Sequence, residues 1–267
     1  MTVVCVDLDR TVIYSAAALD LREPDHEAPR LLCVEVYKGA PQSFLTEDAA
    51  ATMRALQDVA TVVPTTTRTP AQLARVHLPG PPAPFAIASN GGHLLVDGVA
   101  DPGWDAAVRH RLAACAPLAE VQAHVRACSG PFVLALREAS ELFVYAVVDR
   151  AALPDGWVDE LAAWSGPRGW TVSLQGRKIY AVPKPLTKSA AMHEVARRTG
   201  ADLTLAAGDS LLDADLLLAA DRGWRPGHGE LADAAWTAPA ITALPERGVL
   251  AGERILREFL KASRAPR

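Results

Sequence analysis

Cysteine is scarce: the 267 residues hold four, Cys5, Cys33, Cys115 and Cys128, with no CxxC pair and no metal-finger spacing. A disulfide framework and a zinc module are thereby excluded. Cys5 lies inside an apolar run, and all four read as reduced thiols of a cytoplasmic protein. A basic block is missing too: 27 Lys and Arg stand against 31 Asp and Glu, for a formal net charge of −4. That balance lacks the electrostatic footprint of a nucleic-acid binder and makes a small molecule the expected partner. No window of about eighteen residues is free of charge, and Asp7 and Asp9 interrupt the only apolar stretch near the start, so neither membrane insertion nor secretion is expected. Internal repeats and low-complexity tracts are absent.

Half of the residues are hydrophobic, and the length suits one large domain or two unequal ones. Apolar runs that end in carboxylates occur at Val3-Val4-Cys5-Val6 before Asp7 and at Leu203-Thr204-Leu205-Ala206-Ala207 before Gly208-Asp209. A buried parallel strand that carries charge to the C-terminal edge of its sheet has this pattern. The alternating run 31–37 suits a strand in a flap-like hairpin, and 47–59 has helical spacing behind Thr46 as N-cap. That helix leads into a strand at 61–64, completing one βαβ unit, and 85–88 is a further strand, followed by a short hairpin at 94–99.

The composition then changes. Residues 104–128 read as helical, 132–148 as a strand pair, 157–164 as a helix and 170–182 as strand again. This order predicts a small α+β module set between the halves of a parallel sheet. Helix–strand alternation resumes with a helix at 189–199, a strand at 203–207 and a helix at 213–219, and a last helix begins at Gly248. The expected fold is α/β: a doubly wound, mostly parallel, Rossmann-like core over 1–97 and 183–267, with an inserted α+β cap over 98–182.

Asp7 and Asp9 are two apart, so a continuing strand would point both the same way and bring like charges together. A hard cation such as Mg²⁺ relieves that repulsion and takes its remaining ligands from water and a substrate phosphate. Asp7 could then attack phosphorus, with Asp9 protonating the leaving oxygen and later activating water. Alone, the pair is as readily a turn signal. Thr66, flanked by Thr65, Thr67 and Arg68, offers a hydroxyl donor to phosphoryl oxygens, with Arg68 to orient the loop or substrate, but is also a plausible strand end or cap. Lys188, at a helix start, suits an anion, and Lys184 is its competitor. Asp209 and Asp213 after Gly208 offer metal ligands, or a helix N-terminal acidic cluster.

The four patches in this order, strand-DxDxT, strand-TxR, a Lys opening a helix and strand-GDxxxD, resemble the haloacid dehalogenase superfamily of phosphohydrolases. The inserted module is similar to the type 2 cap of its sugar-phosphatase branch, and Ser89-Asn90-Gly91-Gly92 matches a turn that this branch carries beside its site. The resemblance implies Asp7 as nucleophile, Asp9 as acid/base, and Thr66 with Lys188 as the phosphoryl-stabilising pair. It implies a Mg²⁺ site formed by Asp7, Asp9 through its main-chain carbonyl, Asp209 and Asp213. Arg10, Arg68 and Asn90, with Arg137, Arg177 and Lys178 of the module, are the candidate substrate contacts. Arg10 departs from the small residue common at its position, and Leu212 from the Asn common before the final acid. The expected activity is a Mg²⁺-dependent phosphomonoesterase acting on a small phosphorylated metabolite. A phosphotransferase or mutase with the same intermediate, and a non-catalytic metabolite sensor, stay open as alternatives.

Overall fold

The computed structural model describes residues 1–265, which fall into two compact units: Met1–Ala100 with the chain from Lys188 onward, and Asp101–Thr187. In the first unit β1 (Thr2–Val6) is buried along its whole length, as its β-branched run requires of a central strand. A hairpin follows, β2 (Leu31–Tyr37) and β3 (Ala40–Thr46), then helix α1 (Glu47–Gln57), strand β4 (Thr61–Pro64) and the single turn α2 (Pro70–Leu73). A three-stranded meander, β5 (Phe85–Ala88), β6 (His93–Val96) and β7 (Val99–Ala100), ends this part of the unit.

Residues 101–187 form the inserted unit. Its helices α3 (Pro102–Leu112), α4 (Leu118–Cys128) and α5 (Trp157–Ser165) accompany strands β8 (Val133–Ala139), β9 (Phe143–Val148), β10 (Trp170–Gln175) and β11 (Lys178–Pro183). The sheet is antiparallel throughout, in the order β10-β11-β9-β8. The helical stretch expected over 104–128 is two helices, because Pro117 has no N–H to give to a helix interior and instead caps α4. The indoles of Trp170 and Trp157 are buried with their N–H groups donating to the carbonyls of Ala116 and Cys128, each at 2.9 Å, which ties the sheet and α5 to the two ends of α4.

The first unit resumes with α6 (Lys188–Thr199), β12 (Leu203–Ala207), α7 (Ala214–Ala219), β13 (Arg222–Arg225), α8 (Glu230–Asp233), β14 (Ile241–Ala243) and α9 (Gly248–Arg264). Strands β13 and β14, both short, lie outside the sequence expectations. The five-stranded sheet runs β14-β13-β12-β1-β4 and is parallel at every pairing. A single parallel bridge, Thr65 to Ile87, joins β5 beyond β4.

Side chains of β1 alternate between two layers. Val4 and Val6 pack into one cluster with Met53 and Leu56 of α1 and Ile255, Leu256 and Phe259 of α9. Val3 and Cys5, equally buried, point to the opposite face, where α6 packs on β1. The sheet is therefore wound on both faces, and the odd-numbered face of β1 is the face of α6. The α1 layer is secured by Thr46, whose hydroxyl accepts from the Ala49 N–H at 3.0 Å and donates to Glu253 of α9 at 2.9 Å. Thr46→Ala removes a cap and one partner of the buried Glu253 carboxylate, which keeps its ion pair with Arg257, and is expected to lower stability by about 1–2 kcal/mol in urea unfolding.

Candidate functional site

Three strands end together. Val6 is in register with Ala207 of β12 and Pro64 of β4, and the Asp7 N–H donates to Ala207 O at 3.0 Å while Thr65 N–H donates to Val6 O at 2.8 Å. Asp7, Thr66 and Asp209 consequently emerge along one edge of the sheet, where parallel α/β folds leave a crevice. Asp7 keeps the odd parity of β1 and faces α6, whose first residue is Lys188. The ammonium of Lys188, 1% exposed, donates to Asp7 Oδ1 at 2.6 Å and to Asp213 Oδ1 at 2.5 Å. Lys184 lies elsewhere, donating to the Gly166 carbonyl of the inserted unit.

The remaining bonds set each carboxylate. Asp7 Oδ2 accepts from the Thr11 hydroxyl at 3.2 Å, and Asp213 Oδ2 accepts from the Ser210 hydroxyl at 2.6 Å and N–H at 3.0 Å. Gly208 is required for space, because a Cβ there would run into the Asp213 side chain; no turn conformation peculiar to glycine is involved. Carboxylate oxygens of Asp7, Asp209 and Asp213, all buried, lie within 4.8 Å of one another. At an effective dielectric of about 20, each such pair repels by roughly 3 kcal/mol. Burial pushes the Asp7 carboxyl up, Lys188 opposing and Asp213 reinforcing. Asp209 is raised well above the usual carboxylate range by burial, then by Asp7 and Asp213, with Arg10 opposing. Burial would depress the Lys188 ammonium, but Asp213 and Asp7 outweigh it and hold it above its ordinary value. An all-oxygen, electron-rich, buried set of this kind fits a hard divalent cation such as Mg²⁺.

Asp9 is placed differently from Asp7. The strand ends at Val6, and the loop winds around the Leu8 carbonyl, which accepts from the N–H groups of Thr11, Val12 and Ile13. The strand geometry that would have aligned the two acids does not persist, and the Asp9 carboxylate lies outside the three-acid cluster. It is instead gripped by Arg68 in a two-pronged pair, Nε to Oδ2 and Nη2 to Oδ1, both at 2.7 Å. The Arg68 N–H donates to the Thr66 hydroxyl at 3.2 Å. Ser89 and Asn90, both at positive φ, close on this loop: Ser89 N–H donates to Arg68 O and Asn90 N–H to Thr66 O. Arg137 and Lys178 belong to the inserted unit. Arg137 is exposed on β8 opposite Tyr145, and Lys178 is exposed at the start of β11 with its ammonium 5.7 Å from the Tyr145 ring centre. Arg177 beside it reaches the Val148 carbonyl.

No family model matches the sequence, and no curated protein matches it significantly. Solved structures match along nearly the whole chain. Sucrose-phosphatase from Synechocystis sp. PCC6803 has 12% identity over 96% of this chain and 97% of its own, with a TM-score of 0.64. The C-terminal domain of trehalose-6-phosphate phosphatase from C. albicans has 12% identity over 98% and 93%, with a TM-score of 0.58. A phosphatase of the haloalkanoate superfamily from Bacteroides thetaiotaomicron has 14% identity over 97% and 95%, with a TM-score of 0.54. The fold is that of haloacid dehalogenase-type phosphatases. At these identities the likeness concerns the fold.

Several residues that build this site carry weaker signals in the sequence. Ser210 bears the cap pattern Ser-x-x-Asp with Asp213, a signal that was there to use. Glu35 had a weaker one, a lone charge in an apolar run. It is 1% exposed, forms an ion pair with Arg68 Nη1 at 2.9 Å, and accepts from Arg75 Nε at 3.1 Å and the Ser43 hydroxyl at 2.7 Å. A bulge in β2 between Cys33 and Glu35 turns Val34 and Glu35 inward in succession, leaving Leu32 and Val36 exposed. Strict alternation would have placed Glu35 outside. Through Arg68 the hairpin therefore steadies Asp9. His228, between two glycines, accepts the Gly248 N–H at Nδ1, so its proton sits on Nε2 and is donated to the Arg10 carbonyl at 2.7 Å. Burial pushes the His228 ring below its ordinary value, in keeping with that neutral form.

Two outcomes follow from this geometry. Burial raises the Glu35 carboxyl, but Ser43 and Arg68 outweigh it and hold it below its ordinary 4.5. Its contribution to stability is thus present above about pH 4.5 and lost as pH falls through the lower folded value. Glu35→Gln is expected to cost about 3 kcal/mol at pH 7 and to flatten this acid limb when urea midpoints are compared across pH. At Gly229, φ is +89° and a Cβ would strike the carboxylate and carbonyl of Asp209. Gly229→Ala should displace Asp209 and weaken Mg²⁺ binding at least about tenfold by calorimetry.

Proposed function

We propose that the protein is a cytoplasmic, Mg²⁺-dependent phosphomonoesterase that hydrolyses a small phosphorylated metabolite, a sugar or polyol phosphate, through an aspartyl-phosphate on Asp7. The observation that carries this reading is the Asp7 carboxylate at the end of β1, bonded by Lys188 and clustered with Asp209 and Asp213. A structural carboxylate gains nothing from two buried like charges beside it, whereas a nucleophile working on a phosphate beside a divalent cation needs them. Sucrose-phosphatase and trehalose-6-phosphate phosphatase share the fold, which supports a sugar phosphate as the substrate class.

Asp7 attacks phosphorus, an O–P bond forms, the ester P–O bond breaks, and the departing oxygen takes a proton from Asp9. Water then gives a proton back to Asp9 and attacks the same phosphorus, releasing phosphate and regenerating Asp7. Arg68 favours the ionised Asp9, the form that deprotonates water; donation in the first half requires the carboxyl to leave that grip. Lys188 fixes the rotation of Asp7 and supplies positive charge to the phosphoryl oxygens, with Thr66 as a further donor. Bound Mg²⁺, held by Asp7, Asp209 and Asp213, would neutralise phosphoryl charge.

A phosphate-release screen over sugar phosphates, phosphoglycerate conjugates and nucleotides with Mg²⁺ tests the proposal. Wild type should release free phosphate from a sugar phosphate, and Asp7→Asn should lower kcat by about a thousandfold or more. Absence of release across the panel, or full activity in Asp7→Asn, overturns it. Transfer to a second sugar in place of release would make the protein a phosphotransferase.

A further inference from the structure

Arg10 takes no part in the proposed chemistry, yet the fold goes to some cost to hold it. Its backbone lies at φ 65°, a left-handed conformation that side-chain-bearing residues seldom adopt. The His228 bond to its carbonyl anchors the peptide there. From that position the side chain folds over the acidic cluster, and its Nε donates to Asp209 Oδ2 at 3.2 Å. The cations are thus divided. Lys188 serves Asp7 and Asp213, and Arg10 serves Asp209.

We propose that Arg10 is a built-in competitor of the divalent cation at Asp209, setting a weaker Mg²⁺ affinity than the three acids alone would have. The inference rests on the metal-binding reading of Asp209 made above. An oxygen that accepts from a guanidinium has less electron density to offer a metal, and a fixed positive charge a few ångströms from a divalent ion repels it. The Asp209 side chain is 9% exposed, but that of Arg10 is 40% exposed. Water can therefore solvate the guanidinium as it is released, which makes exchange of one cation for the other feasible. Lys188, 1% exposed and shared by two acids, has no such route out.

Calorimetric titration of Mg²⁺ into metal-free wild type, Arg10→Gln and Arg10→Lys tests the idea. Gln keeps the backbone strain and much of the length but drops the charge; Lys keeps the charge. Arg10→Gln should bind Mg²⁺ at least about tenfold more tightly, equivalent to about 1.4 kcal/mol, with Arg10→Lys near wild type. In chelator Arg10→Gln should melt below wild type and gain a larger upward shift on adding Mg²⁺. If Arg10→Gln does not fold in chelator, Arg10→Gly, which also relieves the left-handed backbone, must show the same tightening. Equal or weaker affinity in the charge-free variants, with wild type binding normally, overturns the role of Arg10 alone. No Mg²⁺ binding by wild type removes it together with the metal-binding reading.

Discussion

The ammonium of Lys188, set between Asp7 and Asp213, is the contact on which the edge of the sheet depends. It joins the first strand, the loop after β12 and the start of α6 at distances of 2.5 and 2.6 Å. Attraction at those separations exceeds the repulsion between carboxylates whose oxygens lie up to 4.8 Å apart, so the single ammonium of Lys188 suffices to hold Asp7 and Asp213 together. Removing the ammonium would leave buried charges uncompensated, the case in which a buried pair matters most. Stability and chemistry meet in one side chain here.

Around that pair, two further cations divide the remaining acids. Arg68 connects Asp9 to Glu35, and Arg10 covers Asp209. Each joins a group at the strand edge to a segment far away in sequence: the hairpin through Glu35, and the start of α9 through His228 and the Arg10 carbonyl. The acidic loop is consequently braced from several sides, which suits a nucleophile that must hold one orientation while its neighbours exchange protons.

The core strands and helices were legible because their patterns are local. Val3 to Val6 and Leu203 to Ala207 are apolar runs stopped by carboxylates, and Thr46 with Glu47 and Asp48 marks a helix start. The break before α4, which Pro117 marks, is hidden by the Ala-rich pattern that continues on both sides of it. Strands β13 and β14, four and three residues long, carry too little pattern to stand out. At the site, the spacing of Asp7 and Asp9 suggested one shared environment, and the winding of the loop at Leu8 gave them two.

By itself the sequence determined which residue types stand at the ends of which strands, because hydrophobic periodicity and strand termination are properties of consecutive residues. The tertiary structure alone decided the pairings: Lys188 with Asp7 across 181 positions, Arg10 with Asp209 across 199, Arg68 with Asp9 and Glu35. Charge partnership depends on distances of a few ångströms, and those come from parallel register, a bulge in β2 and a left-handed residue at position 10. None of these is written in the spacing of the acids, since like charges repel wherever they are and only the fold determines which cation arrives between them.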